Sequence, residues 1–122
     1  MPADYFIITS DPFTFHYPGS GEMDKAYEFT LPARAKVDSN SSLFWLAELG
    51  MQTGYHFSCR ININTKQVYE QSFAMRSTGS YHAVIGANIL KQADKTNNIE
   101  FEIVGSGSAT FRVSNICLMV QI

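Results

Sequence analysis

Apolar and polar residues alternate with a period of two along most of this chain, which is the pattern of β-strands with one buried face. The clearest stretch runs from Tyr55 to Asn64, where every second side chain is apolar. Clusters of Gly, Pro, Asn and Ser separate such stretches at intervals of about ten residues, as in sandwiches and barrels. The predicted strands cover residues 5–9, 13–17, 27–31, 43–49, 55–64, 68–75, 81–85, 97–104 and 109–122.

Two segments fit more than one structure. Leu43–Leu49 has the composition of a buried strand but would also make two helical turns, and its short length favours the strand. Residues 85–93 are compatible with a helix, although Gly86 and Asn88 weaken that interpretation. Polar residues predict a loop at 22–25 and a turn at 77–80.

The last 26 residues predict two long strands joined by a turn at 105–108, a terminal hairpin. The second strand is unusual because Ile116–Val120 is apolar at every position. A strand that is apolar on both faces lies between two sheets or between two subunits. We therefore expect an oligomer interface along this strand, formed by Ile116, Leu118, Met119 and Val120.

Length and composition narrow the class of protein. We expect a single domain over residues 1–122, large enough to bury a core without metal or disulfide support. The charged fraction of 16% is low for a globular protein. Either part of the surface is covered by a subunit or a ligand, or Ser, Thr and Asn replace charges, as they do in extended β proteins.

Charge and hydropathy exclude two kinds of partner. The net charge is −2 and the nine basic residues form no cluster, which argues against nucleic-acid binding. No stretch approaches the roughly 18 apolar residues of a membrane span. The start of the chain lacks a basic segment followed by an apolar one, so we expect synthesis in a cytoplasm without a signal peptide. Cys59 and Cys117, each within an apolar strand pattern, are expected to be reduced and buried.

No catalytic or metal-binding motif is present, and the prediction is a protein that is not an enzyme and has no cofactor. His16, His56 and His82 would bind a metal only if their strands were neighbours, and their spacing favours solvent-facing side chains. Gly105–Ser108 lacks the lysine and the helix of a phosphate-binding loop. Glu100 and Glu102 have the spacing of a solvated strand face.

Aromatic residues are the remaining candidates for binding. One Trp, six Tyr and nine Phe exceed what a core of this size needs, so some rings are expected at the surface. Exposed rings stack on the apolar faces of sugars, and they are also enriched at subunit interfaces. The sequence does not separate these uses, and the candidate binding residues are Trp45, Tyr17 and Tyr81.

Fold-level resemblances sharpen the expected architecture. Residues 54–61 resemble the central inward strand of tumour-necrosis-factor- and complement-type jelly rolls. Residues 101–103, Gly105 and 111–120 resemble the closing hairpin of the same fold. Residues 89–91, followed by 98–101, are similar to galactose-binding-like jelly rolls. Both resemblances imply an all-β jelly-roll sandwich of about eight or nine antiparallel strands.

The two resemblances imply different functions. The first implies a homo-oligomer, a trimer whose threefold axis buries aromatic and aliphatic strand faces, and small jelly rolls of this kind also occur in phage decoration proteins and tail adhesins. The second implies a monomeric carbohydrate-binding module, often with a calcium ion, although no acidic cluster here matches such a calcium site. We therefore expect a non-enzymatic oligomeric structural or receptor-binding protein, most concretely a phage-type virion component that contacts itself and other virion proteins. The alternative is a glycan-binding jelly-roll module.

Overall fold

The computed structural model describes residues 3–17, 21–51, 57–73, 77–92, 94–105 and 109–122. Within these ranges the chain forms nine β-strands. They are β1 (Ala3–Thr9), β2 (Phe13–Tyr17), β3 (Gly21–Phe29), β4 (Ser41–Met51), β5 (Phe57–Ile63), β6 (Lys66–Phe73), β7 (Ser77–Ile85), β8 (Asn97–Gly105) and β9 (Ala109–Gln121). The part of the chain described contains no helix of the length and apolar character that crossing a membrane requires.

The strands form two antiparallel sheets. In the first sheet the order is β1–β9–β4–β7, and β2 continues the line of β1 along the other half of β9. The second sheet has the order β3–β8–β5–β6. From β2 onward the chain passes to the opposite sheet at each connection except the one between β5 and β6. This wrapping is that of a jelly roll, and it confirms the predicted fold class.

The last two strands correct the prediction of a terminal hairpin. β8 pairs with β3 and β5 in the second sheet, whereas β9 pairs with β1, β2 and β4 in the first. The two strands contribute side chains to the core from opposite sheets: Phe101 and Ile103 from β8, Phe111 and Val113 from β9, all at most 2% exposed. Burial of these apolar side chains between the sheets takes the place of hydrogen bonds between the two strands.

The structure decides two ambiguous segments and corrects two other predictions. The segment at 43–49 is a strand, as its short length favoured, and is part of β4. Residues 22–25 and 77–80, predicted as a loop and a turn, belong to β3 and β7. Both strands lie at sheet edges, where polar and small residues face solvent and the apolar alternation that marks a strand is weak. The helix-compatible segment after Ile85 forms turns and bends.

The core fills the space between the sheets. Its largest fully buried side chains include Phe57, Phe101, Leu43, Leu49 and Ile61. In β5 the burial alternates without a break from Phe57 to Ile63, as the sequence predicted for that part of the 55–64 strand. The remaining residues of that prediction that precede Phe57 lie outside the described ranges.

A β-bulge divides β9. Phe44 of β4 pairs with Cys117 and Leu46 with Ser114, so one residue between the pairs on β4 faces two on β9. Asn115, one of those two, has a φ of 53°, a left-handed conformation that Asn adopts more readily than most residues. The extra residue shifts the alternation: Val113 is buried before the bulge, and Ile116 is buried after it.

Candidate functional site

The outer surface of the first sheet carries an apolar patch that crosses four of its five strands, β1, β9, β4 and β7. One row, in order, is Tyr5, Met119, Ser42 and Val84, and the next row is Ile7, Cys117, Phe44 and His82. Leu46 lies beside the second row. We call these nine residues the apolar patch. No Asp, Glu, Lys or Arg belongs to it.

Three rings of the apolar patch lie close together, and four of its apolar side chains are exposed to solvent. The ring of Phe44 lies between those of Tyr5 and His82, with centroid distances of 6.4 Å and 6.1 Å. Tyr5 is 67% exposed, Ile7 66%, Val84 60% and Leu46 42%. Covering contiguous apolar surface of this kind removes water from apolar atoms, which makes the apolar patch a candidate contact site.

The outer surface of the second sheet has the opposite chemistry. Asp24, Glu102, Arg60 and Glu70 form a row across its four strands. Arg60 pairs with Glu70 at 2.9 Å, and Asn62 donates a hydrogen bond to Glu102. Further carboxylates on this side make it an acidic, well-hydrated surface, which we call the acidic face: its carboxylates are Asp24, Glu28, Glu70, Glu100 and Glu102.

A groove next to the β9 bulge adjoins the apolar patch. It has a volume of about 280 Å³. Two of its walls carry Arg112 and Glu48, whose charged atoms lie 4.0 Å apart, and both side chains are at least half exposed. Its lining, here called the bulge groove, consists of Leu46, Ala47, Glu48, Thr78, Gly79, Ser80, Arg112 and Ser114. One apolar wall together with several hydroxyl groups and an ion pair suits a small ligand rich in hydroxyl groups.

The structure corrects the expected position of one candidate ring. Trp45 is 2% exposed, so it offers no surface on which a sugar would stack. Its ring packs edge-on against Tyr69 at 4.8 Å and stacks on Tyr81 at 5.9 Å, within the core. Tyr81 is half-buried by the same contact. Tyr17 belongs to β2, but its side chain lies outside the part of the structure described.

The predicted interface strand also requires a correction. Ile116, Leu118 and Val120 face the core and are at most 1% exposed, so they are not available to a second subunit. Met119 faces outward and belongs to the apolar patch. The strand is apolar on both sides because one side packs in the sandwich and the other contributes to the outer surface. The signal that reasoning from sequence missed was Asn115, a residue type that adopts the left-handed conformation found at the bulge.

Two cysteines and one histidine are the candidate titratable groups whose side chains the structure describes. Burial raises the pKa of the Cys59 thiol to about 12 and raises the pKa of the half-buried Cys117 thiol. His82 is exposed, whereas the side chains of His16 and His56 lie outside the described part. Among the side chains described, no three His, Cys, Asp or Glu residues come together in a way that would hold a metal ion.

Comparison with known proteins shows similarity at the level of the fold. No family model matches this sequence, and no curated protein matches it. A structure of a family 16 carbohydrate-binding module superposes with a TM-score of 0.54 at 14% identity, over 86% of this chain and 74% of that one. Sequence identity this low establishes a shared fold only.

Two larger proteins contain a domain of similar structure. Dimeric latent PorU from Porphyromonas gingivalis gives a TM-score of 0.60 at 9% identity, over 97% of this chain. The infectious bursal disease virus Gx strain structure gives 0.54 at 14% identity, over 98% of this chain. The chain spans 12% of the first protein and 32% of the second. The shared architecture is that of the all-β jelly-roll sandwich.

Proposed function

We propose that this chain is a non-enzymatic oligomeric protein with a structural or receptor-binding role, most concretely a component of a phage-type virion. The observation that supports the proposal is the apolar patch across β1, β9, β4 and β7 of the first sheet. Burying apolar surface stabilises an assembly by about 25 cal/mol for each Å² removed from water. The fold is compatible with this role, because a jelly roll of similar structure occurs in the infectious bursal disease virus structure.

The contrast between the two outer surfaces indicates which side makes the contact. The acidic face would repel a second acidic face. Its carboxylates would also lose their hydration if the face were buried, which costs free energy. The apolar patch carries no such cost. We therefore infer that the first sheet faces the neighbouring subunit or the receptor, and that the second sheet faces solvent.

Light scattering on the purified protein tests this proposal. We expect a mass above the 13.7 kDa of one chain at micromolar concentration. Leu46→Lys adds a charge within the apolar patch at a side chain that is 42% exposed, and it should lower the mass at the same concentration. Ala26→Lys adds the same charge on the side of the acidic face and should leave the mass unchanged. A wild-type protein that is monomeric at micromolar concentration would contradict the proposal.

The bulge groove supports a second candidate function, the binding of a glycan. Arg and carboxylate side chains hold sugar hydroxyl groups by hydrogen bonds, and Arg112 and Glu48 are placed 4.0 Å apart around an open volume. The carbohydrate-binding module described above has the same fold. Nothing in this candidate requires Trp45.

A glycan array distinguishes this candidate from the first. We expect hits with the wild-type chain that Arg112→Ala removes. Arg60→Ala is the matched control, because Arg60 is also paired with a glutamate on a strand, but on the acidic face. An array without hits, or hits lost equally in both variants, counts against the groove as a glycan site.

A further inference from the structure

The outer edge of β1 has backbone groups that no described strand pairs with. β1 pairs with β9 on one side, and none of the described strands pairs with its other side. The Tyr5 N–H donates to Oδ1 of Asp4 at 3.0 Å, which indicates that it points away from β9. In an antiparallel ladder, the N–H and C=O groups of every second residue point to the same side of the strand. Ile7 therefore also directs its N–H and C=O to the free edge.

Tyr5 and Ile7, which both face this edge, are also the most exposed large apolar residues described. Tyr5 is 67% exposed and Ile7 66% exposed, and both side chains lie on the outer surface of the first sheet. An exposed edge strand with apolar side chains is a template for pairing with another strand. The backbone edge and the side-chain exposure are separate observations, and both indicate a missing strand.

Charges distinguish β1 from the edges of the second sheet. β3 carries exposed Asp24, Lys25 and Glu28, and β6 carries exposed Lys66 and Glu70. Charged side chains on an edge are a common protection against unwanted strand pairing. The one charged residue of β1 is Asp4, which is neutralised by an ion pair with Arg34. The Asp4 carboxylate also accepts the Tyr5 N–H, a hydrogen bond that pairing with another strand would replace. Because Asp4 is already paired with Arg34, β1 has no unpaired charge that opposes such pairing.

We propose that two copies of this chain pair through β1, antiparallel about a twofold axis at Phe6. This inference rests on the oligomeric function proposed above and specifies one of its contacts. The register places Tyr5 opposite the partner's Ile7, and Ile7 opposite the partner's Tyr5, with about four backbone hydrogen bonds between the copies. The first sheets, with four strands abreast in each copy, then join into one sheet of eight.

A second copy suits this edge better than an unrelated strand, because the edge is complementary to itself. Each copy covers the exposed aromatic ring of the other with a β-branched side chain, a cross-strand pair that stabilises sheets. A twofold contact of this kind closes on itself and gives a discrete dimer. Pairing of β1 with the uncharged edge of β7 would instead propagate into an open chain of copies.

The main test separates what the backbone N–H of Ile7 contributes to the dimer from what its side chain contributes. We expect the Leu46→Lys variant, whose patch contact is weakened, to remain a dimer of about 27 kDa, twice 13.7 kDa. Adding Ile7→Pro removes one edge N–H and should give a monomer, while Ile7→Ala shortens the side chain but keeps the N–H and should retain dimer. Circular dichroism of each variant verifies that the sandwich is folded.

Cross-linking tests the register. In a Cys117→Ser background, Tyr5→Cys with Ile7→Cys should give a disulfide-linked dimer on mild oxidation, because opposed strand residues lie within disulfide range. Val84→Cys with His82→Cys is the matched control at the β7 edge and should remain uncross-linked.

The outcomes distinguish this proposal from the function on which it rests. An oligomer whose mass is unaffected by Ile7→Pro overturns the β1 contact and leaves the oligomeric function standing. A wild-type monomer overturns both. A mass that increases steadily with concentration, together with cross-linking at β7, replaces the twofold pairing by an open chain.

Discussion

The side-chain amide of Asn64 donates to the side-chain oxygen of Asn97 at 2.9 Å, and this hydrogen bond joins the β5–β6 turn to the start of β8. The same oxygen of Asn97 accepts a hydrogen bond from the Lys91 N–H at 2.7 Å, and the side-chain amide of Asn97 donates to the Lys91 carbonyl at 3.2 Å. Asn64 also donates to the Ile89 carbonyl at 2.8 Å. Asn97 is fully buried, so these bonds replace those that water would supply.

Replacing Asn97 should therefore be costly. Asn97→Ala leaves the Lys91 N–H and carbonyl without their partner, and we expect the free energy of unfolding to fall by about 2–3 kcal/mol. Asn98→Ala is the control: Asn98 is exposed and contributes its backbone N–H to Asn64, which alanine retains. Urea unfolding of both variants measures the difference, and equal stability would show that the network contributes little.

The bulge residue gives a prediction about backbone conformation. Asn115 has a φ of 53°, which a β-branched side chain tolerates poorly. We expect Asn115→Val to lower the free energy of unfolding by about 1–2 kcal/mol, whereas Asn115→Gly should leave it nearly unchanged. Thermal unfolding of the pair measures this, and a valine variant as stable as the glycine variant would contradict the assigned conformation.

Adjacent residues of β9 should respond oppositely to a negative charge. Leu118 is fully buried, and Leu118→Asp places an unpaired carboxylate in the core at a cost of several kcal/mol, comparable with the whole stability of a domain. Met119 faces outward, so Met119→Asp should remain folded. Far-ultraviolet circular dichroism and solubility distinguish the two. A folded Leu118→Asp protein would show that the strand does not face the core.

Trp45 is the single tryptophan and reports directly on the core. Its fluorescence should shift to longer wavelength on unfolding and resist quenching by acrylamide in the folded protein, because the ring is 2% exposed. Trp45→Ala should lower the free energy of unfolding by about 3–5 kcal/mol, and Trp45→Phe, which keeps an aromatic ring, by less. Ready quenching of the folded protein would place the ring at the surface instead.

The buried thiol of Cys59 and the partly buried phenol of Tyr69 make stability depend on pH in the alkaline range. Burial raises the pKa of Cys59 from 9.0 to about 12, and burial first, then the charges of Cys59 and Tyr81, raises the pKa of Tyr69 from 10.0 to about 12. Above pH 9 the unfolded chain therefore loses protons that the folded chain keeps, so stability falls as pH rises towards 12. Each such proton contributes a slope of up to about 1.4 kcal/mol per pH unit.

The cysteine contribution can be isolated with one variant. Denaturant unfolding at a series of pH values from 8 upward should show a shallower decline for Cys59→Ala than for the wild type. The comparison concerns slopes, so the change in packing at Cys59 does not obscure it. Identical slopes would mean that the Cys59 thiol titrates alike in the folded and unfolded chains.

The sequence predicted the architecture where burial imposes a simple period. The alternation from Phe57 to Ile63 identified β5, and the short apolar run from Leu43 to Leu49 identified β4, because both strands lie inside their sheets and are packed on the inner side along their length. Edge strands were harder to predict. Residues 22–25 and 77–80 are held by pairing with β8 and β4, a long-range relationship that local composition does not contain.

The candidate site was predicted less well, for a related reason. The number of aromatic residues predicts a surface ring at Trp45, but the direction of a side chain depends on strand register, which the number does not contain. Ile116 and Met119 look equivalent in sequence, yet one faces the core and the other the apolar patch. The patch itself draws residues from β1, β4, β7 and β9, which only the fold brings together.

The bulge at Asn115 has a consequence for how this sequence can change over evolutionary time. Since side chains alternate strictly along a strand, losing the one extra residue would turn Ile116, Leu118 and Val120 outward and bring Cys117 and Met119 into the core. Length changes in this strand are therefore tolerated in pairs, or where a second change nearby restores the alternation. In related chains, the number of residues between Val113 and Ile116 should vary less than the identities of those residues.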